Sequence, residues 1–321
     1  MRRTVLLSAP YMIPVFDQLR PLFDAAGIDV IVAPVEERLS EAELLEYAGR
    51  IDGTVCGDDP WSAKALEAAS PRLKVIAKWG TGIDAIDQAA AARLGVRVAN
   101  TPEAFTDAVA DSVLAYILVF ARRAPWIDRA MKAGRWEKIP GRALHECTLG
   151  VVGVGAIGKE VLRRALAFRM RLLGNDILEM PPAFVREVGV EMIALKDLLG
   201  QADFVSLSCD LNPTSRHLIS RQTLGWIRPG AVLINTARGP IVEEAALIEA
   251  LREGRLAGAA LDVFEEEPLP PDSPLRKMDN VLLAPHNANS SPAAWERVHR
   301  NTLRNLFAGL GLPIPEAIRE P

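Results

Sequence analysis

The sequence predicts an α/β protein built on two doubly wound parallel sheets that are covered by helices. Short β-rich runs alternate with helical stretches along almost the whole chain, which is typical of parallel strands joined by crossover helices. The runs in the second half are nearly continuous in apolar residues, as expected when both faces of a sheet are covered. With 321 residues, the chain is long enough for two domains of ordinary size.

The predicted strands form two series separated by a long helical region. The first series is Thr4–Ser8, Ile28–Ala33, Gly53–Cys56, Val75–Ala77 and Val96–Ala99. The second series is Thr148–Gly153, Met170–Gly174, Phe204–Leu207, Val232–Thr236, Ala259–Val263 and Val281–Ala284. Between them we expect a buried helix at Asp107–Phe120 and a more polar one at Ala124–Arg135. A last helix is predicted between Pro292 and Leu310, and its spacing leaves open which domain it joins.

Composition excludes several classes of function. The formal net charge of −4 and the pI near 5.7 provide no basic face for nucleic acid. The longest apolar stretch, Val113–Ala121, is far shorter than the roughly 18 residues that span a bilayer. Cys56, Cys147 and Cys209 are widely spaced and show no metal-ligand pattern. We therefore expect no nucleic acid, membrane or metal partner, and free thiols in a reducing cytoplasm.

The strongest single motif is the glycine-rich turn from Gly153 to Gly158. A strand leads into it and a helix leaves it, which makes the otherwise weak GxGxxG pattern specific. Gly153 permits the tight turn, Gly155 lets the backbone approach a pyrophosphate, and Gly158 lets the helix and strand pack closely. Ala156 and Ile157 lie in the first turn of the helix, whose free N–H groups and positive dipole end face the anion. The turn predicts a dinucleotide site.

The acid that ends the next strand indicates which dinucleotide binds. Asp176 lies 18 residues after Gly158, where a carboxylate accepts hydrogen bonds from ribose hydroxyls and repels a 2′-phosphate. No arginine follows it directly to receive that phosphate, since the next residues are Ile177, Leu178 and Glu179. NAD is therefore favoured over NADP, with the alternative that Asp176 merely opens a turn.

Three later strands each end close to a polar group that suits hydride transfer. Arg238, Glu267 and His286 follow three consecutive strands, and ligands of doubly wound sheets bind beyond the carboxyl ends of the strands. An arginine can hold a carboxylate and polarise a carbonyl, and a histidine can donate a proton near neutral pH. A neighbouring carboxylate would orient the imidazole and favour its protonated form. A structural role for the histidine alone is the competing interpretation. The other three histidines are assigned surface or structural roles, because His145 and His299 lie in polar, helix-flanking surroundings and His217 follows a predicted loop.

With these residues assembled, the chain resembles the D-isomer-specific 2-hydroxyacid dehydrogenases, a family that includes D-3-phosphoglycerate and D-lactate dehydrogenases and glyoxylate/hydroxypyruvate reductases. The matching segments are Gly80–Asp84, Asn100–Pro102, Asp107–Asp111, Ile234–Gly239, Asp262–Pro268 and Pro285–His286. The resemblance implies transfer of a hydride between NAD(H) and a small D-2-hydroxy or 2-oxo acid. It implies two Rossmann-like domains: a flavodoxin-like substrate domain at 1–99 plus 287–321, and an inserted NAD-binding domain at 100–286.

The resemblance also implies residue roles. Arg238, Glu267 and His286 would be catalytic, and backbone amides of Gly80, Thr81 and Gly82 would bind the substrate carboxylate, since short glycine-rich turns present their amides outward. For that loop an ordinary tight turn is the alternative. The cofactor-binding residues implied or predicted are Val109, Gly153, Gly155, Ala156, Ile157, Gly158, Asp176, Thr236 and Asp262. The helical segment around Ala121–Trp136 resembles the dimer-forming region of the family, so a homodimer is expected.

The loop after the third predicted strand bears on the choice of substrate. The Cys56–Trp61 loop, where members of the family vary with substrate, contains Asp58 and Asp59, and no arginine or lysine follows before Lys64. Two carboxylates would serve a phosphorylated substrate poorly, so an unphosphorylated acid is expected. An NAD-sensing protein like the related corepressors, or a formate- or phosphite-type dehydrogenase of the same superfamily, are the alternatives.

Overall fold

A computed structural model describes residues 2–319. The elements before residue 100 are β1 (Arg3–Leu7), α1 (Phe16–Ala25), β2 (Ile28–Val32), α2 (Glu41–Tyr47), β3 (Gly53–Cys56), α3 (Ala63–Ala69), β4 (Val75–Lys78), α4 (Gln88–Arg93) and β5 (Arg97–Ala99). Side-chain caps start three of these helices: Ser40 accepts from an amide of α2, Ser62 from one of α3, and Asp87 from one of α4.

The later elements repeat the alternation on a larger scale. They are α5 (Thr106–Arg122), α6 (Ala124–Lys132), β6 (Thr148–Val152), α7 (Ala156–Ala167), β7 (Arg171–Asn175), α8 (Pro182–Val188), β8 (Glu191–Met192), α9 (Leu195–Gln201), β9 (Phe204–Leu207), α10 (Arg221–Leu224), β10 (Val232–Asn235), α11 (Glu244–Arg252), β11 (Gly258–Leu261), β12 (Val281–Leu283) and α12 (Pro292–Gly309). Short 3-10 helices lie at Ile13–Val15, Leu144–Glu146, Gly239–Ile241, Pro274–Lys277 and Glu316–Ile318.

The described residues form two compact units. The first unit runs to Phe105 and resumes at Ser291, and the second is Thr106–Ser290. The junctions lie a few residues beyond the expected ones at 99/100 and 286/287. The C-terminal helix α12, whose domain the spacing left open, packs on β3 and β4 of the first unit. A Cβ on Gly309 would overlap the Val75 side chain, and one on Gly53 would lie in tight contact, at 3.1 Å, with the Leu306 and Val75 side chains.

The sheet of the first unit has the strand order β2-β1-β3-β4-β5, with every pair parallel. This is the flavodoxin-like doubly wound order, in which the order reverses between β1 and β3. Its buried residues include a cluster built on Leu6, Cys56 and Ile76 from successive strands. The carboxyl ends of β1, β3 and β4 therefore meet at one edge of this sheet.

The sheet of the second unit has the order β12-β11-β10-β9-β6-β7-β8, again with every pair parallel. This is the Rossmann order extended by one strand, and it reverses between β6 and β9. Val151 and Val152 belong to different hydrophobic clusters, as do Leu172 and Leu173, because successive strand residues point to opposite faces. Both faces are thus buried, and the predicted α/β class with two doubly wound sheets is confirmed.

The structure differs from the predicted elements mainly at their ends. Strand bounds shift by one or two residues, α5 is longer than predicted at both ends, and α6 ends at Lys132. One strand was missed: β8 has only two residues and pairs with β7 alone, so it shows no hydrophobic periodicity. Within residues 2–319 we find no helix with the length and hydropathy needed to cross a membrane.

Candidate active site

The glycine-rich turn connects β6 to α7 with almost no space beneath it. Gly153 has a φ of +90°, and a Cβ there would overlap the backbone of Ser208 and Cys209. A Cβ on Gly158 would overlap the carbonyl of Gly153. Around Gly155, by contrast, a Cβ would meet no heavy atom within 4 Å. The turn is therefore closed on its protein side and open above Gly155, where α7 begins, and this geometry fits a pyrophosphate on the helix N-terminus.

The carboxylate of Asp176 holds this turn. It follows β7 directly; its Oδ2 accepts from the Val154 N–H at 2.6 Å, and its Oδ1 accepts from the Leu178 N–H at 2.8 Å. Each carboxylate oxygen has a further lone pair, so these bonds leave acceptor capacity for hydroxyl groups. The turn-opening interpretation of Asp176 thus describes part of its bonding and is compatible with binding of a ribose.

Buried hydroxyls without partners lie at the ends of the two neighbouring strands. Ser208 follows β9 and Thr236 follows β10, and the side-chain oxygen of each is buried and makes no hydrogen bond within the described residues. Orphaned polar atoms of this kind indicate a partner that the polypeptide does not supply. Thr236 was predicted from the sequence. Ser208 was missed, although it lies just past a strand end beside the glycine-rich turn.

Arg238 is positioned by its own strand. The amide of Asn235, the last residue of β10, donates to the Arg238 carbonyl at 2.9 Å and accepts from the Ala237 N–H at 3.1 Å. The Arg238 guanidinium donates to the Ala237 carbonyl at 2.9 Å. A side chain on Gly239 would collide with the backbone of Phe264, so the loops after β10 and β11 are in close contact. These contacts fix the backbone that follows β10, and Arg238 is half-buried there at the edge of the sheet.

Glu267 and His286 form a pair in the same unit. The Nδ1 of His286 lies 3.0 Å from Oε2 of Glu267, with both side chains about one-fifth exposed, at 21% and 19%. The other carboxylate oxygen accepts from the Phe264 N–H at 2.9 Å. Because an ionised carboxylate can only accept, the proton of the pair lies on Nδ1, and proton exchange with a substrate would use Nε2.

The backbone around His286 is held by Asp262. His286 has a φ of +52°, and its N–H donates to the Asp262 carbonyl at 2.8 Å. The Asp262 carboxylate accepts from the amides of Asn287 at 2.8 Å and Ala288 at 2.9 Å. The left-handed conformation of a non-glycine residue costs about 1 kcal/mol, which these bonds offset. Asp262 thus sets the orientation of the histidine.

Asp262 is itself buried against Tyr116 of α5. Burial raises the pKa of the Asp262 carboxyl, and the charge of Glu267 adds to this, while the two backbone amides and His286 oppose it. Burial together with the charge and hydrogen bond of Asp262 raises the pKa of Tyr116 to about 12. Sequence reasoning missed Tyr116, since nothing in the sequence connects it with a residue nearly 150 positions later. Val109, also on α5, is buried one and a half to two turns earlier.

The substrate loop predicted at Gly80–Gly82 belongs to the first unit. Gly80 has a φ of +119°, which favours glycine, and its carbonyl accepts from the Thr101 N–H at 3.0 Å. The Asn100 side chain donates to the Thr81 carbonyl at 2.6 Å, and Thr81 Oγ1 donates to the Thr101 carbonyl at 3.1 Å. The N–H groups of Thr81 and Gly82 donate to no acceptor among residues 2–319. The carbonyls are engaged and the amides remain available, as an anion site requires.

The remaining histidines lie elsewhere. His217 is exposed and lies 2.7 Å from a carboxylate oxygen of Glu265, and His145 is exposed. The expectation of polar surroundings is wrong for His299, which lies within α12 against an aromatic cluster. Its Nδ1 accepts from Trp79 Nε1 at 2.9 Å, and burial lowers the pKa of its imidazole.

Known proteins have sequences and structures similar to those of this chain. The family description "D-isomer specific 2-hydroxyacid dehydrogenase, NAD binding domain" matches residues 114–288. A glyoxylate reductase of Korarchaeum cryptofilum is 41% identical over 78% of this chain and 76% of its own. A glyoxylate reductase of Thermofilum pendens is 40% identical over 87% of this chain and 84% of its own.

A solved structure extends the match to both units. The D-lactate dehydrogenase of Aquifex aeolicus, complexed with NAD and lactic acid, superposes with a TM-score of 0.84 at 27% identity, over 96% of this chain and 95% of its own. The predicted family, NAD cofactor and reaction class are thereby confirmed. The chain belongs to the D-isomer specific 2-hydroxyacid dehydrogenases and is an NAD-dependent oxidoreductase that interconverts a small hydroxy acid and its oxo acid.

Proposed function

We propose that the chain reduces glyoxylate or a similarly small, unphosphorylated 2-oxo acid, with Arg238, Glu267 and His286 as its catalytic residues. The observation that carries the proposal is the 3.0 Å contact between His286 Nδ1 and Glu267 Oε2, which orients the imidazole and stabilises its charged form. The names of the relatives from Korarchaeum cryptofilum and Thermofilum pendens support glyoxylate. The acidic Cys56–Trp61 loop supports an acid without a phosphate.

Three side chains share the chemistry with the cofactor, namely His286, Glu267 and Arg238. When bound, the nicotinamide cofactor supplies the hydride that C2 of the oxo acid receives. The protonated His286 gives its Nε2 proton to the carbonyl oxygen, which becomes the hydroxyl, and the imidazole is left neutral with its Nδ1–H on Glu267. Glu267 stabilises the charged imidazole before the transfer. Arg238 holds the carboxylate and stabilises the negative charge that develops on the carbonyl oxygen. Oxidation of the hydroxy acid is the reverse.

The substrate and cofactor contacts belong to the same proposal. Amides of Gly80, Thr81 and Gly82 bind the substrate carboxylate, supported by the two N–H groups without an acceptor. Amides of the 153–158 turn bind the pyrophosphate, and Asp176 binds the ribose hydroxyls. Thr236, Asp262 and Val109 contact the nicotinamide side, so the unit that runs from Thr106 to Ser290 serves the cofactor and the other unit serves the substrate.

We also propose that two copies associate and act in the cytoplasm. Near α6, Met131 is 47% exposed and Trp136 is 85% exposed, and large apolar side chains exposed close together on a surface are a feature of protein–protein contacts. A second copy of this chain is the partner that fits, and the mass in solution tests it. The three cysteines are free thiols, which is the state that a reducing compartment maintains.

A panel of acids tests the proposed substrate. Purified protein with NADH is assayed against glyoxylate, pyruvate, hydroxypyruvate and phosphohydroxypyruvate, and against formate and phosphite with NAD. We expect glyoxylate to be reduced with a higher kcat/KM than the phosphorylated acid. A preference for phosphohydroxypyruvate, or turnover with formate or phosphite alone, would contradict the proposal.

A further inference from the structure

A buried lysine lies directly beneath the Gly80–Gly82 loop. Lys78 is the last residue of β4, and its side chain is only 5% exposed. Its Nζ lies 3.2 Å from the position that a Cβ on Gly80 would occupy, and it donates to the Trp79 carbonyl at 2.8 Å. The ammonium is therefore adjacent to the backbone from which the loop amides project.

The charge of this lysine is compensated by an acid from the neighbouring strand. The Oδ1 of Asp58, two residues past the end of β3, lies 3.2 Å from Lys78 Nζ, and its side chain is 29% exposed. Asp58 thus reaches solvent while Lys78 does not. A buried ammonium without any nearby counter-charge is costly, and Asp58 supplies a counter-charge in direct contact with Lys78, while the charge of Asp59 also acts on it.

The adjacent acid is used differently. Asp59 is fully buried and accepts from the Leu39 N–H at 2.8 Å and from the Ser8 hydroxyl. It braces the loop from below, and Asp58 is left as the carboxylate that faces both the lysine and solvent. Lys64, the next cation along the chain, is bound to Glu41 at 3.1 Å on the surface.

We propose that the Asp58–Lys78 pair determines the charge of the acids that this site accepts. The inference rests on the proposed binding of the substrate carboxylate to the Gly80–Gly82 amides. With Asp58 in place, the cation is neutralised and the exposed carboxylate repels a second anionic group, so the site selects monoanionic 2-oxo acids. Without Asp58, the ammonium becomes available to a second carboxylate or a phosphate on the substrate.

The test compares two substrates on the full-length protein with NADH. The ratio of kcat/KM for oxaloacetate, a dianion, to that for glyoxylate, a monoanion, is measured for the wild type and for Asp58→Asn. We expect the ratio to rise by about tenfold or more, the effect of one charge acting over several ångströms in a partly solvated site. The increase should shrink as ionic strength rises, because exposed charges are screened.

Two further variants complete the test. Glu67→Gln removes a carboxylate from an exposed ion pair with Arg93 in the same unit and should leave the ratio within about twofold of the wild type. Asp58→Asn combined with Lys78→Met should abolish the gain. If Lys78→Met prevents folding, the salt dependence of Asp58→Asn alone takes its place.

The outcomes separate the inference from the proposed function. Glyoxylate reduction with an unchanged ratio in Asp58→Asn would overturn the selectivity role and leave the proposed function standing. A gain that persists without Lys78, or that is insensitive to salt, would also overturn it. Failure of the wild type to reduce glyoxylate, pyruvate and hydroxypyruvate would refute the proposed function and, with it, this inference.

Discussion

The carboxyl edges of the two sheets use their acidic residues in different ways. At the edge of the seven-stranded sheet, Asp176, Asp262 and Glu267 each accept from backbone amides. At the edge of the five-stranded sheet, Asp58 neutralises a buried lysine, and Asp59 is buried with a pKa raised to about 6, mainly by burial. Acids held by backbone amides, Asp59 among them, fix the loops around them, whereas Asp58 balances a charge and would, on our proposal, adjust what the edge attracts.

The largest expected effect is on the arginine of the seven-stranded edge. Arg238→Gln should lower kcat/KM for glyoxylate by on the order of 10³, because it removes both the carboxylate partner and the charge that stabilises the forming oxyanion. Steady-state kinetics with NADH measure it. Arg221→Gln, which removes an exposed partner of Glu249 in the same unit, is the matched control and should change the rate by less than about twofold. Equal losses of kcat/KM in the two variants would mean that Arg238 contributes no more than an exposed surface arginine does.

Glu267→Gln should have the next largest effect. The amide can still accept from the Phe264 N–H, but it cannot stabilise the charged imidazole of His286. We expect kcat for glyoxylate reduction to fall by about 10- to 100-fold, with a greater loss at pH 8 than at pH 6. The pH profile of kcat measures this. A uniform loss across pH would mean that Glu267 only supports the loop.

The third effect concerns stability rather than rate, and it lies at the other edge. Burial raises the pKa of Asp59 from 3.8 to about 6, so the folded state holds this proton more tightly than the unfolded state does. Stability is therefore lost as pH rises from about 4 to about 6, by on the order of 3 kcal/mol, and the penalty is complete above that window.

Asp59→Asn should make the urea concentration at the unfolding midpoint nearly independent of pH between pH 4 and 6. A midpoint that falls over this window as in the wild type would contradict the assignment.

Asp203 in the other unit has a pKa that is shifted in the opposite direction. Burial would raise the pKa of its carboxyl, but Arg142, Arg228 and the Thr148 N–H hold it below the usual value. The stabilisation that Asp203 provides is present above the pKa of its carboxyl in the unfolded state and is lost as pH falls through its pKa in the folded state. This holds for the wild type and for Asp59→Asn alike.

The sequence predicted the features that follow from hydrophobic periodicity and from the rule that ligands bind beyond the carboxyl ends of parallel strands. Two parallel sheets, the glycine-rich turn and the strand-end positions of Arg238, Glu267 and His286 all follow from local patterns. The pairings between distant segments could not be predicted, because they depend on strand register and helix rotation. Tyr116 against Asp262, Trp79 against His299 and Lys78 against Asp58 are of this kind. The strand β8 was missed for the opposite reason, since two residues carry too little pattern.

Single-turnover hydride transfer in His286→Ala tests the central claim most directly. Protein with bound NADH is mixed with glyoxylate, and the loss of NADH absorbance is followed for the wild type, His286→Ala and the exposed-pair control His217→Ala. We predict that NADH binds all three with similar Kd, that His217→Ala transfers at nearly the wild-type rate, and that His286→Ala is slower by on the order of a hundredfold or more. Transfer at the wild-type rate in His286→Ala would contradict the account.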